Sequence, residues 1–279
     1  MAGNLLYVVA SSSLYSVSNG GVYTLLGSLP TVANRVSMDT NGVDILIVDG
    51  VAGYVYNIAA GTITAISDVN FPNGAVSVTE LNSRYYAVRT DSREFDASQL
   101  LDGTTWSPQI FGTKENTSDN LLQVLNFNGV LVLFGARSIE FWQDTGAAPL
   151  PVTRITGATQ QWGLAATHSI SKVGNTLMFL GLDPDGGVRV VKLQGYAPIP
   201  VSGSDVNDVI NRMTVVSDAT AITYNSFGHS IYQITFPSEN RSLFYDNTTG
   251  IWQESQTGLD LQARHFADLG IAFARKMVS

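Results

Sequence analysis

Short hydrophobic runs separated by small or polar turn residues recur along the whole chain. The clearest example lies between Gly129 and Gly146. A run from Val130 to Phe134 meets a small-residue turn at Gly135 to Ser138, and a second run follows in which Ile139 and Phe141 alternate with Glu140. This pattern predicts a β-hairpin of one buried and one half-buried strand. Leu121 to Phe127 precedes it and leads into Asn128-Gly129, the dipeptide best suited to the positive φ angles of a tight hairpin turn. The same alternation of run, turn and run is found at Leu5 to Ser18, Asp44 to Asn57, Arg84 to Asp96, Thr176 to Val191 and Ser230 to Tyr245. With Leu5, Ile45, Tyr85, Leu131, Leu177 and Ile231 as markers, the steps are 40, 40, 46, 46 and 54 residues. Repeats of about 40 to 50 residues with four strands each are the signature of propeller blades. The expectation is an all-β chain folded as a β-propeller, with six blades or, as the alternative, seven.

Individual repeats read differently at the two ends. Residues 5–29 give three strands, the last following Asn19-Gly20-Gly21, and no innermost strand precedes Leu5. Residues 35–67 give four, from Arg35 to Thr40, Ile45 to Val48, Tyr54 to Ile58 and Thr62 to Ile66. Residues 75–106 repeat that unit. A propeller pairs its end with its beginning, because an unpaired edge leaves backbone groups without partners. Ala263 to Asp268 is the spare strand, so it is expected to pair with Leu5 to Val9 and close a blade. The propeller domain would then span residues 1–270, with 271–279 as a C-terminal stub. Two polar stretches, Gly112 to Asp119 and Gly146 to Trp162, read as loops, where a rigid β scaffold usually makes its contacts. The longest step holds the single predicted helix, from Ser204 to Met213. Val206, Val209, Ile210 and Met213 share one face, Ser204 is the expected N-cap, and Asp205 and Asp208 stand early, where the helix dipole favours them. Its expected role is a connector packed on the outer sheet.

Composition narrows the function classes. The 279 residues are 44% hydrophobic and 14% charged, enough apolar material for a large core. Net charge is −8, from 15 basic and 23 acidic residues scattered singly, so no Lys/Arg stripe is available to grip phosphates. The absence of cysteine excludes a disulfide framework and any thiolate ligand or nucleophile. The N-terminus has no basic n-region and no apolar run approaches 18 residues, which predicts a soluble, unexported product.

No catalytic motif stands out. His168, His229 and His265 lack metal-ligand spacing, and no nucleophile elbow, Walker loop or dinucleotide glycine pattern occurs. Asp183-Pro184-Asp185-Gly186-Gly187 places two acids two residues apart. The twelfth position of a calcium loop would be Gln194 rather than Glu, so a hairpin turn is the expected structure. Leu101 to Trp106 resembles a partial Asp-box turn of sialidase-like propellers, and Tyr245 to Trp252 a kelch-type turn. In both, the Asp is expected to cap the turn while the Trp packs between sheets. No catalytic, cofactor-binding or metal-ligating residue is therefore assigned, no cofactor is expected, and the chain is read as a non-enzyme. The rival class is a carbohydrate-binding or glycoside-hydrolysing propeller.

The order of several segments resembles a known family. These are Val36 to Gly42 before a strand, Arg84 to Ala87 followed by Phe95 to Ser98, and Leu131 to Gly135 followed by Ser138-Ile139-Glu140-Phe141-Trp142 with Thr145-Gly146. Gln161-Trp162-Gly163 and the helix near 204–213 complete the series. Together they resemble the tail-hub, or packaged-DNA stabilisation, proteins of short-tailed phages. Members of that family look longer at both ends. The resemblance implies a virion tail protein assembled in the host cytoplasm, a protomer of a hexameric ring. It implies a portal and adaptor above and a needle or fibres below; given the net charge of −8 and the absence of a long apolar run, duplex DNA is expected to pass through without tight binding and no membrane partner is expected.

Overall fold

The computed structural model describes residues 5–31, 35–89, 91–115, 117–257, 263–265, 267, 271–273 and 276–278. The chain divides into two compact units, residues 1–135 with 139–159, and residues 136–138 with 160–279.

The first unit holds four antiparallel meanders. Sheet 1 has β1 (Leu5–Ala10), β2 (Ser13–Ser18) and β3 (Tyr23–Ser28); sheet 2 has β4 (Ser37–Thr40), β5 (Asp44–Val48), β6 (Gly53–Asn57) and β7 (Thr62–Ala65). Sheet 3 has β8 (Ala75–Leu81), β9 (Arg84–Arg89), β10 (Glu94–Gln99) and β11 (Asp102–Thr113); sheet 4 has β12 (Leu121–Phe127), β13 (Val130–Gly135), β14 (Ile139–Asp144) and β15 (Val152–Arg154). Each strand pairs with its sequence neighbour, so local turns fix the register. Between β12 and β13 the expected tight turn forms, with φ of 53° at Asn128 and 79° at Gly129.

Neighbouring sheets cover one another, which buries both faces of their middle strands. All five residues of β5 are buried. On β9, Tyr85 and Ala87 enter a core with Leu46, Val48, Val55 and Trp106, while Tyr86 and Val88 enter another with Leu131, Leu133 and Trp142. Phe95 meets Trp142 edge to face at 5.1 Å between ring centroids, a preferred aromatic geometry.

The second unit begins with β16 (Gly163–Leu164), β17 (Ser171–Val173), β18 (Thr176–Leu182), β19 (Val188–Gln194) and β20 (Ala197–Pro200), in one sheet centred on β18 and β19. Helix α1 (Ser204–Asn211) follows, then the four-stranded meander of β21 (Thr220–Ser226), β22 (His229–Phe236), β23 (Arg241–Asp246) and β24 (Ile251–Glu254). Two hairpins complete the unit, β25 (Gln256–Thr257) with β26 (Ala263–Arg264), and β27 (Ile271–Phe273) with β28 (Lys276–Val278). Helix α1 packs against β19 and buries Val206 and Ile210 beside Val190, Tyr232 and Phe236, the connector expected from the sequence.

Four expectations change. The helix cap is Gly203, and Ser204 is already the first helical residue. The stretch from Gly146 to Trp162 contains the fourth strand of its sheet, β15, paired with β14 through Asp144 and Val152. The stretch from Gly112 to Asp119 is partly strand, because β11 runs to Thr113. The closing pair between 263–268 and Leu5–Val9 does not form among the described residues: Ala263 and Arg264 pair with Thr257 and Gln256. Pairing across a short local loop costs far less closure entropy than pairing across the chain; residues 266 and 268–270 lie outside the described residues.

Candidate functional site

One set of polar side chains in the first unit lines the first strands of sheets 2, 3 and 4. Strands β4, β8 and β12 run side by side but belong to different sheets, so their facing edges share no backbone ladder. A repeated hydroxyl contact fills that gap. Ser37 Oγ accepts from Val78 N at 3.0 Å and donates to Val78 O at 3.3 Å. Ser77 Oγ does the same with Val124, at 3.1 and 3.2 Å. Two residues further along, Asp39 accepts from Thr79 Oγ1 and from Glu80 N, while Thr79 Oγ1 accepts from Asn126 N. In the second unit Thr223 Oγ1 donates to Lys172 O at 2.9 Å and accepts from Ser171 Oγ at 3.2 Å. Short polar side chains thus stand in for the missing ladder, each worth about 1 kcal/mol where it satisfies a buried backbone group. Glu80 sits in this seam. Burial raises its carboxyl above the usual range, the Ser83 N–H works the other way, and Asp39 adds to the rise.

A second polar cluster lies where β11 ends. Lys114 is completely buried, its ammonium donating to the Asp119 carboxylate, which also accepts from Thr117. Glu140, also without solvent exposure, accepts from Trp142 Nε1 at 3.1 Å and is an electrostatic neighbour of Lys114. Burial pulls the Lys114 ammonium below its ordinary pKa, with Asp119 opposing. The alternation of Ile139, Glu140 and Phe141 suggested an outward-facing Glu140. In a sheet covered on both faces that period no longer separates water from core.

The motif aspartates flagged in the sequence sit at or beside turns, and the motif tryptophans lie in the strands that follow. Asp102 accepts from Thr104 N, Thr104 Oγ1 and Thr105 Oγ1, and Trp106 packs on Phe71 at 5.2 Å while its indole donates to Gly103 O. Asp246 accepts from Thr249 Oγ1, Thr248 N and His229 Nδ1; the Thr249 bond, then Thr248 and His229, hold its pKa down at about 2. Trp252 donates to Val201 O and stacks beside Tyr245. Asp183 accepts from Asp185 N, Gly187 N and Arg189 Nε, which makes its segment the expected hairpin turn. His168 is exposed, His229 pairs with Asp246, and His265 Nδ1 accepts from Ala267 N, so the three histidines do not converge. Among the described residues no group of three His, Asp or Glu side chains could hold a metal ion.

The glycine of Gln161-Trp162-Gly163 has a steric cause. A Cβ there would lie 2.0 Å from the carbonyl oxygen of Ala136, far inside contact distance. This close backbone approach ties the end of the long connection to the turn before Ser138.

Residues 2–278 match the model of the phage stabilisation family described as "Bacteriophage P22 Gp10, beta-propeller". The chain belongs to this family. By that family name it is a phage structural protein that stabilises packaged DNA, a component of the virion. Among curated protein sequences none matches the chain. Solved structures share the fold at low identity. The computationally designed Ika8 protein superposes with a TM-score of 0.55 at 11% identity, covering 94% of this chain and 74% of that one. A chain of the mitotic checkpoint complex gives 0.54 at 10% identity, covering 90% and 76%. The extracellular domain of the two-component system BT4673 from B. thetaiotaomicron gives 0.60 at 8% identity, covering 98% of this chain and 35% of that one.

Proposed function

We propose that the chain is a protomer of a tail ring in a short-tailed phage, seated below the portal and adaptor and carrying the needle or fibres beneath. The observation that carries this reading is the family match across residues 2–278. In this reading the meanders are the blades of one propeller over residues 1–270, six in number with seven as the alternative, and the assembly is a hexamer that retains the genome and later lets it out. Electrostatics are consistent with passage rather than grip. Each copy carries −8, so six carry about −48, and an acidic lumen repels phosphate. The polar groups described above are all engaged in turns, seams or buried pairs, which suits a scaffold better than a catalyst.

Retention of DNA tests the proposal. Particles produced without this chain should package a genome and then lose it, leaving nuclease-sensitive DNA, and supplying the chain in trans should restore protection. Equal protection with and without the chain would contradict it, as would salt-sensitive submicromolar binding of the isolated chain to duplex DNA.

A further inference from the structure

The charge of this chain is unevenly placed. Residues 1–34 contain no Asp, Glu, Lys or Arg, so the entire net charge of −8 lies on residues 35–279. Sheet 1 is built wholly from that neutral stretch, and its outer strand exposes large apolar side chains: Tyr23 is 74% exposed and Leu25 60%, and Val22 just before the strand 67%. Its outer strand β3 carries neither charge nor proline along Tyr23–Ser28, the devices with which natural edge strands usually discourage pairing. The adjoining outer strand β7 packs beside β3 and reads Thr, Ile, Thr, Ala, also without charge. By contrast, β15 and β24 carry Arg154 and Glu254, and β20 carries Pro198 and Pro200. Exposed aromatic and aliphatic side chains in a patch depleted of charge are the composition of the core of a protein–protein interface.

We infer that the outer edge of β3, with Tyr23, Leu25 and the preceding Val22, together with the adjoining edge of β7, is the surface through which one copy of this chain binds a second copy. Charge selects that occupant. Two copies each carrying −8 repel wherever their charged residues meet, and the neutral sheet is where close approach avoids that cost. The inference rests on the ring reading and supplies one of the two different surfaces that each contact in a closed ring brings together.

Light scattering on gel-filtered protein tests it. The wild-type chain, 29.9 kDa as a monomer, should run as a multiple of that mass at micromolar concentration. Tyr23→Glu with Leu25→Glu should weaken self-association at least about tenfold, while Val69→Glu, at a residue 88% exposed elsewhere, should leave it unchanged. A variant that still assembles overturns the assignment of this surface but leaves the ring intact. A wild-type chain that stays monomeric overturns both. Equal loss in Val69→Glu overturns the surface, since added charge alone would then explain the effect. Circular dichroism verifies that each variant folds. Thr24→Cys provides a readout independent of the charged variants, because the chain has no cysteine of its own. That thiol should be protected from a maleimide in concentrated protein and react rapidly on dilution, and equal rates at all concentrations would overturn the proposal.

Discussion

Asp96 carries a pH dependence that its neighbours make explicit. It lies on β10 opposite Ala87 and Phe111, and its Oδ2 is buried without a hydrogen-bond partner. Burial pushes its carboxyl up to about 6; Arg89 draws it partly back and Glu94 adds to the rise. The folded chain therefore holds this proton more tightly than the unfolded one does. The stabilising contribution is full below about pH 4 and is lost as pH rises through about 6. Asp96→Asn should raise stability at pH 7.5 by about 1–2 kcal/mol after allowing for solvent screening, and should flatten the slope between pH 4 and 6. Urea unfolding at pH 4.5, 6 and 7.5 measures both; an unchanged slope would refute the assignment. The sequence gives no warning of this residue. Its position after Phe95 reads as the outward side of an alternating strand, and the burial comes from the neighbouring sheet.

At the scale of elements, the hairpins were legible because each is set by a local cue. Asn128-Gly129, Asp102 with its threonines, and the Asp183 turn all behave as their residues dictate. The contacts between sheets were not, because nothing in the spacing of Ser37 and Ser77 says that each will serve the backbone of the next meander's first strand. Ser77→Ala removes both bonds to Val124 inside a buried seam and should lower stability by about 1–3 kcal/mol in urea melts, whereas an unaltered midpoint would show the seam to be passive. Strand β15 went unread for a similar reason: proline-rich flanks mask a short strand whose partner, β14, supplies the edge. The Lys114 cluster was hidden inside an apparently solvated loop. Lys114→Met keeps the stem but removes the cation paired with the Asp119 carboxylate inside a buried site, at a cost of about 3–5 kcal/mol. Adding Asp119→Leu should recover part of that loss in a double-mutant cycle, and additive losses would show that the two do not act as a pair.

For the molecule as a whole, the repeat of 40 to 54 residues foretold the succession of meanders, and the order of motifs foretold the family. Chain closure was beyond the sequence's reach, since the strand pattern of Ala263 to Asp268 is compatible with any free edge and the nearest partner, β25, captures Ala263 and Arg264. The central claim is that this chain is a structural part of the virion tail. A cryo-EM map of purified particles tests it most directly. The account predicts a ring of β-propeller protomers in the tail, below the portal, into which the sheets described here fit without rebuilding. Particles that retain their DNA and infect normally while containing no such ring, or containing the chain only at some site away from the tail, would contradict it.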